Sequence, residues 1–320
     1  MLHGGLIDLH HHVIPPVLAE TIARHTPIGT GGTSGLTMPP WSSDSALGFL
    51  DDAHIALAVV STGFGVHYGD DAEAIKAARQ CNDLIAELVR DHPDRFGGFA
   101  VLPLPLIDES IEELDRALGE LALDGVMLLT NYGGTYLGDP RFTPVFDVLE
   151  SHSTTVFVHP TASPDAASHT LGVPDFLIDY VADTTRAITR LHYSNTFVRT
   201  PSVRYVVSHA GGTIPYLASR FDLLESVATL PGAEARPSAR DQFRRLYWDT
   251  ALSFTDPVLH LLRDVVGIDQ IVFGSDYPYA ADLSRGAADA VLRTADLTET
   301  ERTAIAYRNA GRLIPRLARG

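Results

Sequence analysis

The stretch GLIDLHHH, residues 5–12, decides how this chain is read: a short apolar run, interrupted only by Asp8, passes directly into three consecutive histidines. Imidazoles that close an element made for burial point to a site at that element's end. Side chains on an extended backbone alternate between faces, so His10 and His12 are expected to point one way and His11 the other. Two of the three can share one ligand. Asp8 is expected to point with His10 and His12, one step deeper, where it would orient a neighbouring group without being a ligand.

Seven more runs of the same kind follow: IALAVVST (55–62), FGGFAVLPL (96–104), GVMLLTN (125–131), TTVFVHP (154–160), VRYVVSHAG (203–211), LYWDTAL (246–252) and QIVFGSDYP (270–278). Polar or Gly/Pro punctuation closes each run, and segments of helical period separate them. Among these, 71–91 and 109–122 stand out, the latter with Ile111, Leu114, Leu118 and Leu121 on one face. Eight strands alternating with helices in 320 residues predict an α/β fold, a (β/α)8 TIM-like barrel formed as one domain over residues 1–320. A doubly wound sheet would carry a glycine-rich phosphate fingerprint after its first strand, which this chain lacks. Residues 13–43, rich in Gly, Pro, Thr and Ser, are too long for a simple connection and predict a flap inserted over the end of strand one. Residues 297–318 predict an extra C-terminal helix with a basic end, packed on the outside.

With 45% apolar and 20% charged residues, the composition is that of a soluble globular protein. A formal charge of −16 without a local basic patch argues against nucleic acid and anionic membranes as partners. No stretch approaches the ~20 apolar residues of a membrane span, and no basic-then-apolar leader opens the chain, so a cytoplasmic location is expected. The single cysteine, Cys81, leaves no internal disulfide or thiolate cluster to form. It falls on the apolar stripe of Ala74, Ala78, Ile85 and Leu88 and reads as a buried structural thiol.

Barrel chemistry gathers at the C-terminal ends of the strands. There the first strand offers His10 and His12, the fifth His159, the sixth His209 and the eighth Asp276. His10, His12, His159 and Asp276 make three neutral nitrogens and a carboxylate, a donor set suited to Zn²⁺, Mn²⁺ or Fe²⁺. A lone histidine is more often a surface or core residue than a ligand, and the nine that close no strand, such as His54 and His152, are read that way. Four such donors, each closing a strand of one barrel, outweigh that reading for this set.

The motifs IDLHHH (7–12), VFVHP (156–160), VVSHAGG (206–212) and FGSDYP (273–278) together resemble the amidohydrolase superfamily, within it the branch of amino-carboxymuconate-semialdehyde decarboxylase. The resemblance implies one divalent metal on His10, His12, His159 and Asp276, zinc foremost and manganese as the alternative, with no organic cofactor. It makes His209 the catalytic histidine. Superfamily members with two metals bridge them through a carbamylated lysine closing the fourth strand; here that strand ends LLTNYGG, and the only lysine, Lys76, lies in a predicted helix.

The pieces MPPW, HPDRFGGFAVLPL, DGVMLLTNYGGTYLGDPRF, SHAGGTIPYLASR and YWDTALS look like 6-methylsalicylate decarboxylases. The implied activity is that of a carboxy-lyase: nonoxidative decarboxylation of a small aromatic 2-hydroxy acid, with His209 or Asp276 moving the proton. Arg220, eleven residues after His209, would by this resemblance reach the substrate carboxylate of a neighbouring subunit, which implies a homodimer or a higher oligomer. A second arginine of that family has no counterpart between Arg24 and Arg79, which suggests a substrate with one carboxylate. Trp41, Phe64, Tyr132 and Phe254 are candidates for an aromatic wall around the ring. The alternative is a hydrolase that attacks a lactone or amide with the same metal and His209. A non-catalytic metal-binding scaffold would leave His209 without a purpose.

Overall fold

The computed structural model describes residues 5–25, 38–163, 165, 172–228, 232, 236–283, 285, 286, 288 and 296–314. Eight strands form its barrel: β1 (Leu6–His12), β2 (Ile55–Ser61), β3 (Phe96–Val101), β4 (Gly125–Leu129), β5 (Thr155–His159), β6 (Arg204–Val207), β7 (Tyr247–Asp249) and β8 (Ile271–Val272). They lie side by side in chain order, every pair parallel. The ring closes through backbone bonds from Leu9 N to Phe273 O (3.0 Å) and from His12 N to Tyr277 O (2.7 Å). All eight expected runs are strands of this one sheet.

Both faces of each strand are buried, which is why the runs read as nearly continuous apolar stretches and not as alternating ones. Ile7, Leu57, Val59, Phe99, Met127, Phe157, Val206 and Val272 fill the barrel. Ala58, Val60, Ala100, Val126, Leu128, Val156, Val158 and Val207 pack outward under the helices. Gly98 shows how closely the helical layer approaches: a Cβ there would lie 2.4 Å from Ile85 Cγ2.

The periodicity at 71–91 matches helix α3 (Asp71–Asp91), begun by the side chain of Asp70 accepting from Glu73 N. The 109–122 segment is helix α4 (Ile107–Asp115) continued by a π-helical turn over Arg116–Glu120. Within 13–43 the chain forms α1 (Pro16–His25), while 26–37 lie outside the described residues. α2 (Ser43–Asp52) follows, opened by a capping box from Ser42.

The C-terminal element runs through Glu299–Thr303, a π-helical turn over Ala304–Arg308, and Asn309–Leu313; 315–318 lie outside the described residues. Its expected position on the outside holds for Ile305 and Ala306, which join the outer apolar layer, and fails only at its last turn. Ala310, Leu313 and Ile314 join the cluster that fills the barrel, and Thr155 Oγ1, at the start of β5, donates to Leu313 O at 2.8 Å. The last turn therefore covers the barrel's N-terminal end, because a ring of inward apolar side chains must be covered at its base. No helix among the described residues is long and apolar enough to cross a membrane.

Candidate active site

The site begins with an irregularity in β1. Asp8 pairs with Ala58 and His11 with Val60, so three steps on β1 stand against two on β2. Such a bulge resets the alternation of faces. Ile7 and Leu9 point into the barrel, and after the bulge His10 and His12 do so as well. His11 turns outward, stacked on Tyr277 at 4.6 Å. Asp8 turns outward too, which corrects its expected direction: its Oδ2 accepts from His11 Nδ1 (3.0 Å) and Ser275 Oγ (2.6 Å). Its orienting role is exercised on His11 and on the β1–β8 seam.

His10 Nε2 and His12 Nε2 are 3.1 Å apart, and Asp276 Oδ1 lies 3.4 Å from the first and 3.1 Å from the second. With His159, the four donor atoms lie within 4.8 Å of one another, and all four residues are buried. Outer partners fix the two ring orientations: His10 Nδ1 bonds Asp249 Oδ2 (2.7 Å) and His12 Nδ1 bonds Ser61 Oγ (3.1 Å). Both Nε2 lone pairs are thereby turned to one point. His159 Nδ1 is buried without a hydrogen-bond partner among the described residues.

Electrostatics ask for a cation at that point. Burial opposes charge on His10, yet Asp249 and Asp276 on its two sides raise its pKa to about 10. Burial lowers His12 and His159, the latter well below the ordinary value, so both are neutral ligands. Burial would raise Asp276, but His10, His12 and His209 hold it well below the usual carboxylate range. Two neutral imidazoles, an ionised carboxylate and a third imidazole whose proton a metal ion would displace suit a divalent ion, and His10, His12, His159 and Asp276 make a metal-binding site.

His209 stands beside it, Nε2 3.5 Å from Asp276 Oδ2. Both residues line a cavity of about 370 Å³ with His159 at its floor and Phe64, Phe176, Leu177, Tyr180, Leu252, Tyr279 and Leu283 on its walls. None of the described lining residues is arginine or lysine. Burial keeps the phenols of Tyr180 and Tyr279 protonated by raising both above their ordinary value.

Of the four aromatic candidates, Phe64 lines this cavity; Trp41, Tyr132 and Phe254 do not. Tyr132 is drawn away by a small hairpin of Asn131–Tyr132 with Thr135–Tyr136, anchored on buried Asp183 by Thr130, Asn131 and Tyr136. Its hydroxyl accepts from Leu129 N at 3.0 Å, and its ring meets Phe142 edge-on. Trp41 and Phe254 pack on the outer apolar layer. Phe176, Tyr180 and Tyr279 stand in their place. Only Tyr279 carried a signal, three residues beyond Asp276.

Arg220 is exposed on α5 (Ile214–Val227), outside its own chain's cavity. Asp249 was legible only as a strand-end carboxylate in YWDTALS. No sequence pattern linked it to His10, 239 positions away.

A parallel barrel with a buried three-histidine, one-aspartate centre at the C-terminal ends of its strands is the architecture of a metal-dependent barrel enzyme. The amidohydrolase family pattern matches residues 7–316, and the chain belongs to that family. It is 36% identical to a decarboxylase of Aspergillus niger, over 86% of this chain and 77% of that protein. It is 32% identical to the 6-methylsalicylic acid decarboxylase of Penicillium expansum, over 92% of this chain and 89% of the relative. A crystal structure of 2,6-dihydroxybenzoate decarboxylase with 2,6-dihydroxybenzoate superposes with a TM-score of 0.83 at 25% identity, covering 97% of this chain and 99% of that one.

Proposed function

We propose that this chain is a metal-dependent, nonoxidative decarboxylase of a small aromatic 2-hydroxy acid of the 6-methylsalicylate type. One observation carries the reading: His209 and the Asp276-anchored centre form the polar floor of a mostly apolar cavity whose described lining includes no arginine or lysine. A ring acid entering it finds the metal-binding group of that floor as the place for its carboxylate among the described residues. When bound by His10, His12, His159 and Asp276, a divalent metal, zinc foremost or manganese, supplies the positive charge that holds the carboxylate and the adjacent hydroxyl.

The remaining roles belong to the chain. Phe64, Tyr180 and Tyr279 clasp the ring and exclude water. Asp276 stays ionised and faces His209 Nε2, so His209 is the group that moves the proton. It protonates the ring carbon that bears the carboxylate; the carbon–carbon bond then breaks, its electron pair restores the aromatic ring, and CO₂ leaves. Solvent returns the proton to His209.

A second copy of the chain belongs to this reading. Tyr216, Leu223 and Val227 of α5 are 76%, 61% and 72% exposed, and Arg220 lies on the same helix. Pairing through this apolar helix face would bury it and carry Arg220 to the partner's substrate carboxylate. In the decisive assay, purified enzyme with Zn²⁺ or Mn²⁺ releases one CO₂ for each 6-methylsalicylate consumed. Turnover of a lactone or amide, with no CO₂ from any 2-hydroxybenzoate, would make it a hydrolase instead.

A further inference from the structure

We infer that Asp249 is a positioning residue that couples the metal centre to the turn carrying His209, one carboxylate oxygen serving each. It closes β7, wholly buried. Oδ2 lies 2.7 Å from His10 Nδ1, while Oδ1 accepts from His209 N at 2.8 Å and Ala251 N at 3.0 Å. The same residue thus holds the side chain of a metal ligand and the backbone of the proposed proton donor.

Each contact has a definite consequence. Asp249 Oδ2 lies against His10 Nδ1, so with zinc bound the hydrogen between them sits on Nδ1 and Nε2, facing His12 and Asp276, is the nitrogen left to ligate. On the other side, His209 and Ala210 adopt φ of 52° and 54°, a region that residues with a side chain rarely occupy. Oδ1 pins the first amide of that turn.

The packing leaves Asp249 no freedom to give up one task. A Cβ at Gly274 would lie 2.7 Å from His10 Cβ and 3.2 Å from Asp249 Cβ, so β8 presses against both residues. A Cβ at Gly211 would lie 1.9 Å from Trp248 Cζ3, so the His209 turn presses on the residue before Asp249. The inference rests on the metal-centre reading and, for the role of His209, on the decarboxylase proposal; its readouts require no turnover.

Asp249→Asn separates the tasks, because an amide has one accepting atom and one donating group. If its oxygen keeps the His209 and Ala251 amides, its NH₂ faces His10 Nδ1, which must then accept, and Nε2 becomes N–H and cannot ligate. If it turns over, His10 keeps its partner and the two amides lose theirs. With Zn²⁺ alone as probe, the expected result is zinc affinity weakened about 10- to 100-fold, with the His10 ring ¹⁵N signals moved to the opposite tautomer. Alternatively, zinc affinity is kept and the His209 amide hydrogen exchanges at least about tenfold faster as its bond is lost.

Wild-type zinc affinity together with unchanged His209 exchange would overturn the inference. So would a ¹⁵N-histidine spectrum of the wild-type zinc protein in which His10 Nδ1 carries no hydrogen, a measurement that does not depend on the variant folding. Failure to release CO₂ would count against the decarboxylase reading and leave this inference standing.

Discussion

At His209 a strained backbone and a reactive ring coincide: φ is 52°, the imidazole is 8% exposed, and Nε2 looks into the cavity past Asp276. Such strain persists where the surroundings over-determine it, and it is concentrated at functional sites. His209→Asn should keep the metal, since His209 is outside the ligand set, while kcat for CO₂ release falls about 10²- to 10⁴-fold, the usual contribution of a positioned acid or base. Metal analysis alongside a CO₂ assay separates the two effects; metal lost together with activity would make His209 a ligand. Cys81 is the contrasting residue. Burial pushes its thiol up to about 12, so at pH 8 the native protein should resist alkylation while the unfolded chain reacts at once. Native labelling at the rate of a free thiol would contradict its burial in α3.

Single elements decide where these residues face. Without the β1 bulge, strict alternation from Ile7 and Leu9 would send His11 into the barrel and turn His10 and His12 out under the helices. The turn after β6 is equally exacting. Gly211, at φ 73°, leaves space for the Trp248 ring, and Gly211→Ala should destabilise the fold by about 1–3 kcal/mol through overpacking, with added strain from the positive φ. Denaturant unfolding would register this as a lower midpoint at unchanged slope. An unchanged midpoint would mean that Trp248 can move aside at little cost.

The whole molecule joins a strongly acidic chain, at formal charge −16, to a centre whose buried carboxylates call for positive charge. Stripping the ion with a chelator should lower the melting temperature, because a ligand present at 1,000 times its Kd stabilises by about 4 kcal/mol. Restoring Zn²⁺ should reverse the shift. A melting curve indifferent to chelation would mean that no structural demand for a cation exists. Assembly belongs to this scale as well. If the proposed pairing through this helix face holds, Tyr216→Asp combined with Leu223→Asp should give monomers in sedimentation where the wild type gives dimers, and Arg220→Ala should raise KM while leaving the oligomeric state and the metal content unchanged; a wild type that sediments as a monomer would end the pairing.

The eight strands, their order and the strand-end donors His10, His12, His159 and Asp276 were determined by local sequence, because apolar runs and the residues that close them are properties of neighbouring positions. The chain also marked His209 by the same rule. Only the tertiary structure decided that Asp8 faces outward, that Tyr279 and Tyr180 wall the cavity in place of Tyr132, and that the chain's last turn covers the barrel's base. It alone joined Asp249 to His10 across 239 positions. These outcomes hang on one bulge, one hairpin and the closure of a ring, each of which sets a direction in space that no alternation of residue types along the chain encodes.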